Sequence, residues 1–241
     1  MSTIDCGRMG KATGLLLAAA LLAACQAVPQ PPPGPAESRP ADPAPVDLPE
    51  GRDYRVVSER SEIRIVLYPA GPLARFGHPH VIGGPVIEGR AVVGEALRQS
   101  GLRLQIPVRA LEVDRPEWRA DEGFEPDMPE SAVRDTRDNM LSEAVLHADA
   151  HPQILIESVD LRGPSWQPDM DVRITLRGVA RELTVPVALS VNDDRLIASG
   201  RFVILQSDFG IEPFSAMGGR LQVADAVLIR FRILAVAGDG N

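Results

Sequence analysis

Val172-Arg173-Ile174-Thr175-Leu176-Arg177-Gly178-Val179-Ala180-Arg181-Glu182-Leu183-Thr184-Val185-Pro186-Val187-Ala188-Leu189 contains two strands and the turn between them. Val172, Ile174 and Leu176 alternate with Arg173, Thr175 and Arg177, and Leu183, Val185, Val187 and Leu189 repeat the pattern beyond Gly178. A period of two places every second side chain on the same sheet face, so each strand has one apolar face. The short link through Arg177-Gly178 makes the pair antiparallel, because a parallel crossover needs a dozen residues or more.

Outward from this hairpin the rhythm persists. Toward the C-terminus, Asn192-Asp193-Asp194 is a second turn, followed by Leu196 to Leu205 and by Val227, Ile229, Phe231 and Ile233 against Leu228, Arg230 and Arg232. Toward the N-terminus lie Ile154 to Leu161, the alternation Leu102, Leu104, Ile106, Val108, then Val86 to Val93, Ile63-Ile65-Leu67 and Tyr54 to Val57. One stretch breaks the pattern: Pro129 to Val145 (PESAVRDTRDNMLSEAV) starts with a proline suited to a first helical turn. It predicts one or two short helices, preceded by a surface excursion over Arg115 to Met128. The class is all-β and antiparallel. Periodicity leaves a two-sheet sandwich and a closed barrel equally open, since both turn their apolar faces inward.

The N-terminus is of another kind. Arg8 and Lys11 precede Gly14 to Ala24 (GLLLAAALLAA), shorter than the roughly 20 residues of a spanning helix and typical of a signal peptide. The run ends Leu22-Ala23-Ala24-Cys25, which resembles the lipobox of bacterial lipoproteins, in which the cysteine is acylated with fatty chains such as palmitate. Residues 1–24 are therefore expected to be a lipoprotein signal, and 25–50 a lipidated Cys25 with a tether containing nine prolines. At about 3.1 Å per residue such a tether reaches ~75 Å. The folded domain is expected over 51–237, with a tail at 238–241. By resemblance, Gln26 after the cysteine favours the outer membrane, facing the periplasm.

Composition excludes several chemistries. After Lys11 every basic residue is arginine, which removes Schiff-base, P-loop and Ser-x-x-Lys chemistry. Of the two cysteines, Cys6 falls within the signal and Cys25 is the acylation site, leaving no thiol for a nucleophile, a disulfide or a zinc site. A net charge of −8 gives no footprint for nucleic acid. No cofactor is expected.

Four strings, in order, carry a resemblance: Phe76-Gly77-His78-Pro79-His80-Val81-Ile82; Asn139-Met140-Leu141 leading to His151-Pro152-Gln153-Ile154; Leu176-Arg177-Gly178-Val179-Ala180-Arg181; and Ser207-Asp208-Phe209-Gly210-Ile211. They resemble the YceI-like, polyisoprenoid-binding family across Tyr54 to Val236. The resemblance implies an extended antiparallel lipocalin-like β-barrel, exported to the periplasm, enclosing a cavity for an isoprenoid, quinone-like or fatty-chain lipid. The Gly-His-x-His string and the lipid anchor depart from the commoner pattern.

The candidate cavity wall is Ile65, Leu104, Ile106, Ile156, Ile174, Val185, Ile229 and Phe231, and Phe76, His78, His80, Met140 and Phe209 are candidates for its mouth, with Phe214 and Met217 among the large side chains near strand ends. His78 and His80, two apart, would share a face if they lie on a strand, as a zinc or copper site requires, yet two ligands do not complete one. They otherwise serve as hydrogen-bonding groups. Asp121, Glu122, Glu125, Asp127 and Glu130 read as a solvated acidic loop whose spacing fits no calcium loop. Ser207-Asp208-Phe209-Gly210 reads as a turn, with Ser207 or Asp208 bonding its own backbone. The leading expectation is non-enzymatic binding of an elongated lipid by an envelope-anchored barrel. The alternatives are a metal-assisted hydrolase using His78 and His80, and a structural lipoprotein with a filled barrel. A second copy of the chain, meeting it through an exposed strand edge, is the remaining candidate partner.

Overall fold

The computed structural model describes residues 47–238. The expected signal 1–24, Cys25, the tether up to residue 46 and the final three residues lie outside the described part. Within it, the strands are β1 (Arg52–Val56), β2 (Glu62–Leu67), β3 (Pro69–Ala70), β4 (His80–Gly84), β5 (Glu88–Val93), β6 (Gly101–Pro107), β7 (Glu112–Val113), β8 (Gln153–Arg162), β9 (Asp169–Leu176), β10 (Val179–Val191), β11 (Arg195–Leu205), β12 (Ser215–Ala216), β13 (Leu221–Val223) and β14 (Ala226–Ala237). Two helices, α1 (Pro116–Asp121) and α2 (Glu130–Leu141), lie between β7 and β8.

Three of the strand pairs are halves of broken strands. β1 and β2 pair with β5 and β4, Tyr54 opposite Ala91 and Ile63 opposite Gly84, while β6 and β7 continue the ladder on the other side of β5 and β4. Ser61 bridges the first break: its buried hydroxyl donates to the Val57 carbonyl at 2.9 Å and accepts the Leu234 amide at 3.0 Å, replacing ladder bonds that the kink removes. With the broken strands taken whole, the ring among the described residues has eight antiparallel strands. Each neighbours the one before it in sequence, and β14 closes the ring onto β1 and β2 through Tyr54 opposite Ala237 and Ile63 opposite Phe231.

Closure rules out the sandwich, because a sandwich would leave long edge strands unpaired. The edges left among the described residues, β3, β7 and β12, are two residues long, which gives an edge-to-edge pair of copies little backbone to use. The inward faces form the main core.

The excursion between β7 and β8 differs from the surface loop read from the sequence. It contains α1, which buries Trp118 and Arg119, and it covers the outer side of the wall near Val66 and Val81, both fully buried. The acidic cluster is not simply solvated either. Asp121 reaches Arg64 at 3.0 Å and Glu122 reaches Arg230 at 3.1 Å, fastening the end of α1 to the outward arginines of β2 and β14. These carboxylates separate two like charges that stand directly opposite each other across the strands.

Candidate functional site

Alternation along the strands turns a continuous set of apolar side chains into the barrel. They surround two chambers, of about 70 Å³ and about 110 Å³. Six residues border both: Ile63, Ile106, Ile156, Ile174, Phe202 and Ile229, one from each of six strands. They form a waist. Phe202 meets Phe231 edge-on at 6.3 Å, and Phe231 fits because Gly200 opposite it has no side chain; a Cβ there would lie 2.8 Å from the Phe231 ring. The bore has almost no polar lining. Gln206, at the end nearer α2, is the exception, and its amide donates to the Ala224 carbonyl at 2.9 Å.

The two ends differ because their connections differ. At one end the strands join through short loops at 94–100, 163–168 and 192–194. Here Leu97, Leu102, Leu161, Trp166, Met170, Leu189, Leu196 and Ala198 help line a vestibule of about 450 Å³, within the range of ~300–1,000 Å³ usual for ligand pockets. Leu102, Met170 and Ala198 belong both to this vestibule and to the adjoining chamber, so the mouth leads into the bore. At the other end Met140 of α2, Leu146 and Ile211 cover the second chamber, and Arg137 holds α2 in place by donating to the Leu111 carbonyl and, at 2.6 Å, to that of Arg109.

The sequence matches the YceI-like domain model over residues 54–235, nearly the whole of the barrel. The chain belongs to the YceI-like domain family. Two solved structures share the YceI-like architecture at low identity. BcnA of Burkholderia cenocepacia superposes with a TM-score of 0.55 at 17% identity, covering 74% of this chain and 98% of that one. A polyisoprenoid binding domain from Saccharophagus degradans, implicated in plant cell wall breakdown, gives 0.53 at 12% identity, covering 77% and 98%. No curated protein sequence matches the chain.

In this YceI-like barrel all eight residues expected on the wall, Ile65, Leu104, Ile106, Ile156, Ile174, Val185, Ile229 and Phe231, border the bore, and so does Met140. Phe76, His78, His80 and Phe209 do not line it. Phe209 is fully buried in the packing that shuts the closed end, and Phe76, 62% exposed, stands on a loop outside the barrel. Phe214 and Met217 stand exposed on the loop from Ile211 to Arg220, which folds onto the Phe76 loop through the small sheet of β12, β13 and β3. The mouth residues Leu97 and Trp166 were not anticipated. A tryptophan placed in the turn-forming string Gly163-Pro164-Ser165-Trp166 was the one signal for them.

Three of the strings that carry the family resemblance converge on the closed end. Arg177 and Gly178 make the two-residue turn with φ of 52° and 73°, which requires left-handed backbone at both positions. Any Cβ at Gly178 would sit 2.8 Å from the His151 ring, and the Arg177 guanidinium donates to the Gly210 carbonyl at 2.8 Å. Gly210 has φ 69°, but Ser207 bonds Asp225 rather than its own backbone, through its hydroxyl at 2.6 Å and its amide at 2.8 Å.

The histidine pair does not form. His78 is exposed, Pro79 separates it from the strand, and β4 begins only at His80. His80 Nδ1 lies 2.6 Å from Asp114 Oδ2, and Asp114 Oδ1 accepts the Val81 amide at 2.9 Å and the Arg119 guanidinium at 2.8 Å. Arg119 also donates to the carbonyls of Pro79 and Glu125, each at 2.7 Å. Burial pushes the Asp114 carboxyl up, but hydrogen bonds from His80, Val81 and Arg119 outweigh it and hold the group below the ordinary carboxylate range. His80 thus belongs to an ionic cluster that locks α1 to β4. Among the described residues no three His, Cys, Asp or Glu side chains are grouped as a metal would need.

Proposed function

We propose that this protein is a non-enzymatic carrier of an elongated apolar lipid, an isoprenoid, quinone-like or fatty chain, anchored in the bacterial envelope by acylated Cys25 after removal of residues 1–24. The tether to residue 50 gives it reach, and the outer membrane facing the periplasm is its proposed site. The observation carrying this reading is the continuity of apolar lining from the vestibule through the waist to Met140. Burial of a chain contributes about 0.8 kcal/mol per CH₂. Roughly ten methylenes therefore give tight capture before ordering costs are subtracted. The chambers are narrow for a bound chain, so filling them requires Phe202 and Phe231 to turn aside. The family assignment and the polyisoprenoid-binding description of the Saccharophagus degradans domain support the ligand class.

Native mass spectrometry of protein extracted from its own membranes tests the reading, with a stoichiometric co-purifying lipid as the expected result. A folded, uniformly empty protein that also takes up no added polyprenol or fatty acid would refute carriage and leave a structural lipoprotein. Labelling of Cys25, but not of Cys25→Ser, by a palmitate analogue tests the anchor, and membrane fractionation tests the location.

A further inference from the structure

A lipid has a polar end, and the interior treats that end differently along its length. Among the described residues lining the two chambers, Gln206 is the one polar side chain, and its amide is already donated to the Ala224 carbonyl at 2.9 Å. The vestibule includes Glu95, Ser100, Ser165 and Ser190 in its lining, and Glu95 and Ser165 stand exposed to water. A lipid that enters tail-first therefore buries its methylenes in the bore and keeps its polar atoms in the vestibule, where the hydrogen bonds they need can be made.

The charge of the lining decides which polar end fits. The chain carries 25 basic residues, yet among the described residues none lines the vestibule or either chamber. Alternation keeps them out. Arg103 stands between Leu102 and Leu104, and Arg173 between Val172 and Ile174, so both take the outer face, where they meet Glu157 at 3.0 Å and Glu182 at 2.8 Å. At the rim Arg52 is held by Asp193 at 2.8 Å, Arg195 precedes the lining residue Leu196 and so turns outward, and Arg98 is exposed beside Leu97 without lining the opening. Glu95 is the one charged residue among the described lining residues. A carboxylate or phosphate head would shed water here, meet no guanidinium and face a carboxylate.

We infer that the vestibule selects a lipid with an uncharged polar head, a hydroxyl or carbonyl, over the same chain ending in a carboxylate or phosphate. The inference rests on the bore being a lipid site and adds the class of head group. Ser100 Oγ accepts the Gly94 amide at 3.2 Å and can still donate its own proton, and the Ser165 hydroxyl can donate or accept. A fatty acid still enters by its chain but binds more weakly than the matching alcohol. A cationic head gains only one exposed carboxylate, which contributes little in water.

The test offers the full chain carrying Cys25→Ser an equimolar mixture of geranylgeraniol and geranylgeranyl monophosphate at pH 7, with bound lipid counted by native mass spectrometry. Hexadecanol against palmitate repeats the comparison on a saturated chain. The neutral member of each pair should be preferred by about tenfold or more. Ser165→Arg, on an exposed loop, adds a guanidinium to the lining and should bring the ratio to parity or reverse it, whereas Arg98→Gln should leave it unchanged. Comparing ratios between variants cancels the different water solubilities of the lipids. Equal occupancy or preference for the anion in the unsubstituted vestibule overturns the inference, as does a ratio unmoved by Ser165→Arg or a clear preference for geranylgeranylamine over the alcohol. A rise in the neutral preference on Arg98→Gln shows that Arg98 reaches the head and overturns it too. Bound lipid without head-group preference removes this inference and keeps carriage, whereas a folded protein that takes up none of these lipids refutes carriage itself.

Discussion

Asp114→Asn is the substitution whose cost the structure fixes best. Asp114 is 3% exposed and Arg119 1% exposed, and their contact at 2.8 Å places opposite charges together outside the barrel wall. Asn suits the test because Asp114 sits at φ 52°, where alanine would add a left-handed backbone penalty of roughly 1–2 kcal/mol. Removing one member of a buried ion pair costs about 3–5 kcal/mol, because the other charge stays buried without its partner. Arg119 keeps two carbonyl acceptors and Asn can still accept the Val81 amide, so the loss should fall near ~3 kcal/mol. For a domain of this size that corresponds to a Tm lower by roughly 6–12 °C.

Equilibrium unfolding in urea at pH 7 reads this loss, and Arg119→Met added to Asp114→Asn should recover about 1 kcal/mol or more by removing the stranded charge. The sign with pH is fixed too. The folded-state pKa of Asp114 lies below its unfolded value, so its contribution is complete above the ordinary carboxylate range and is lost as pH falls through the folded value. The gap between wild type and Asp114→Asn should therefore close on acidification. A loss under about 1 kcal/mol, or a further loss on adding Arg119→Met, would show that the cluster does not hold α1 in the manner described.

Three further outcomes test the bore and its closed end. Ile106→Trp fills the waist and should abolish uptake of a fluorescent fatty acid while the far-ultraviolet circular dichroism stays that of the wild type; undiminished uptake would place the ligand elsewhere. Phe202→Ala joins the two chambers and should cost about 3 kcal/mol in urea unfolding, the low end for a phenylalanine truncation because the ring already borders empty space, while tightening binding of bulkier lipids. Gly178→Ala meets both positive φ and the His151 ring, and should lower stability by about 1–2 kcal/mol or more, read as a shift in the urea midpoint without loss of lipid uptake.

Alternation made the strands legible, and the bore wall with them, because a side chain's face follows from its parity once a strand is recognised. Ile65, Ile106 and Ile229 could be assigned in this way without knowing which strands were neighbours. His78 and His80 were misleading for the same reason, since the spacing carries meaning only on a strand, and the strand starts after Pro79. Trp118 and Arg119 escaped notice because a six-residue helix has too few turns to show a period. Their burial depends on Val66, Val81 and the Pro79 carbonyl, which belong to or adjoin strands far back in the sequence. The mouth escaped for a related reason: Leu97, Trp166 and Leu189 lie on three connections or strands that nothing local associates.

By itself the sequence determined the antiparallel strands, the tight turns and the inward apolar set, all of them consequences of backbone geometry over a few residues. The tertiary structure alone decided that β14 returns to pair with β1 and β2, that six side chains narrow the interior to a waist, and that one end opens while α2 covers the other. Those outcomes depend on contacts between residues far apart in the chain, where packing and loop placement, rather than local period, set which side chains meet and how much space is left between them.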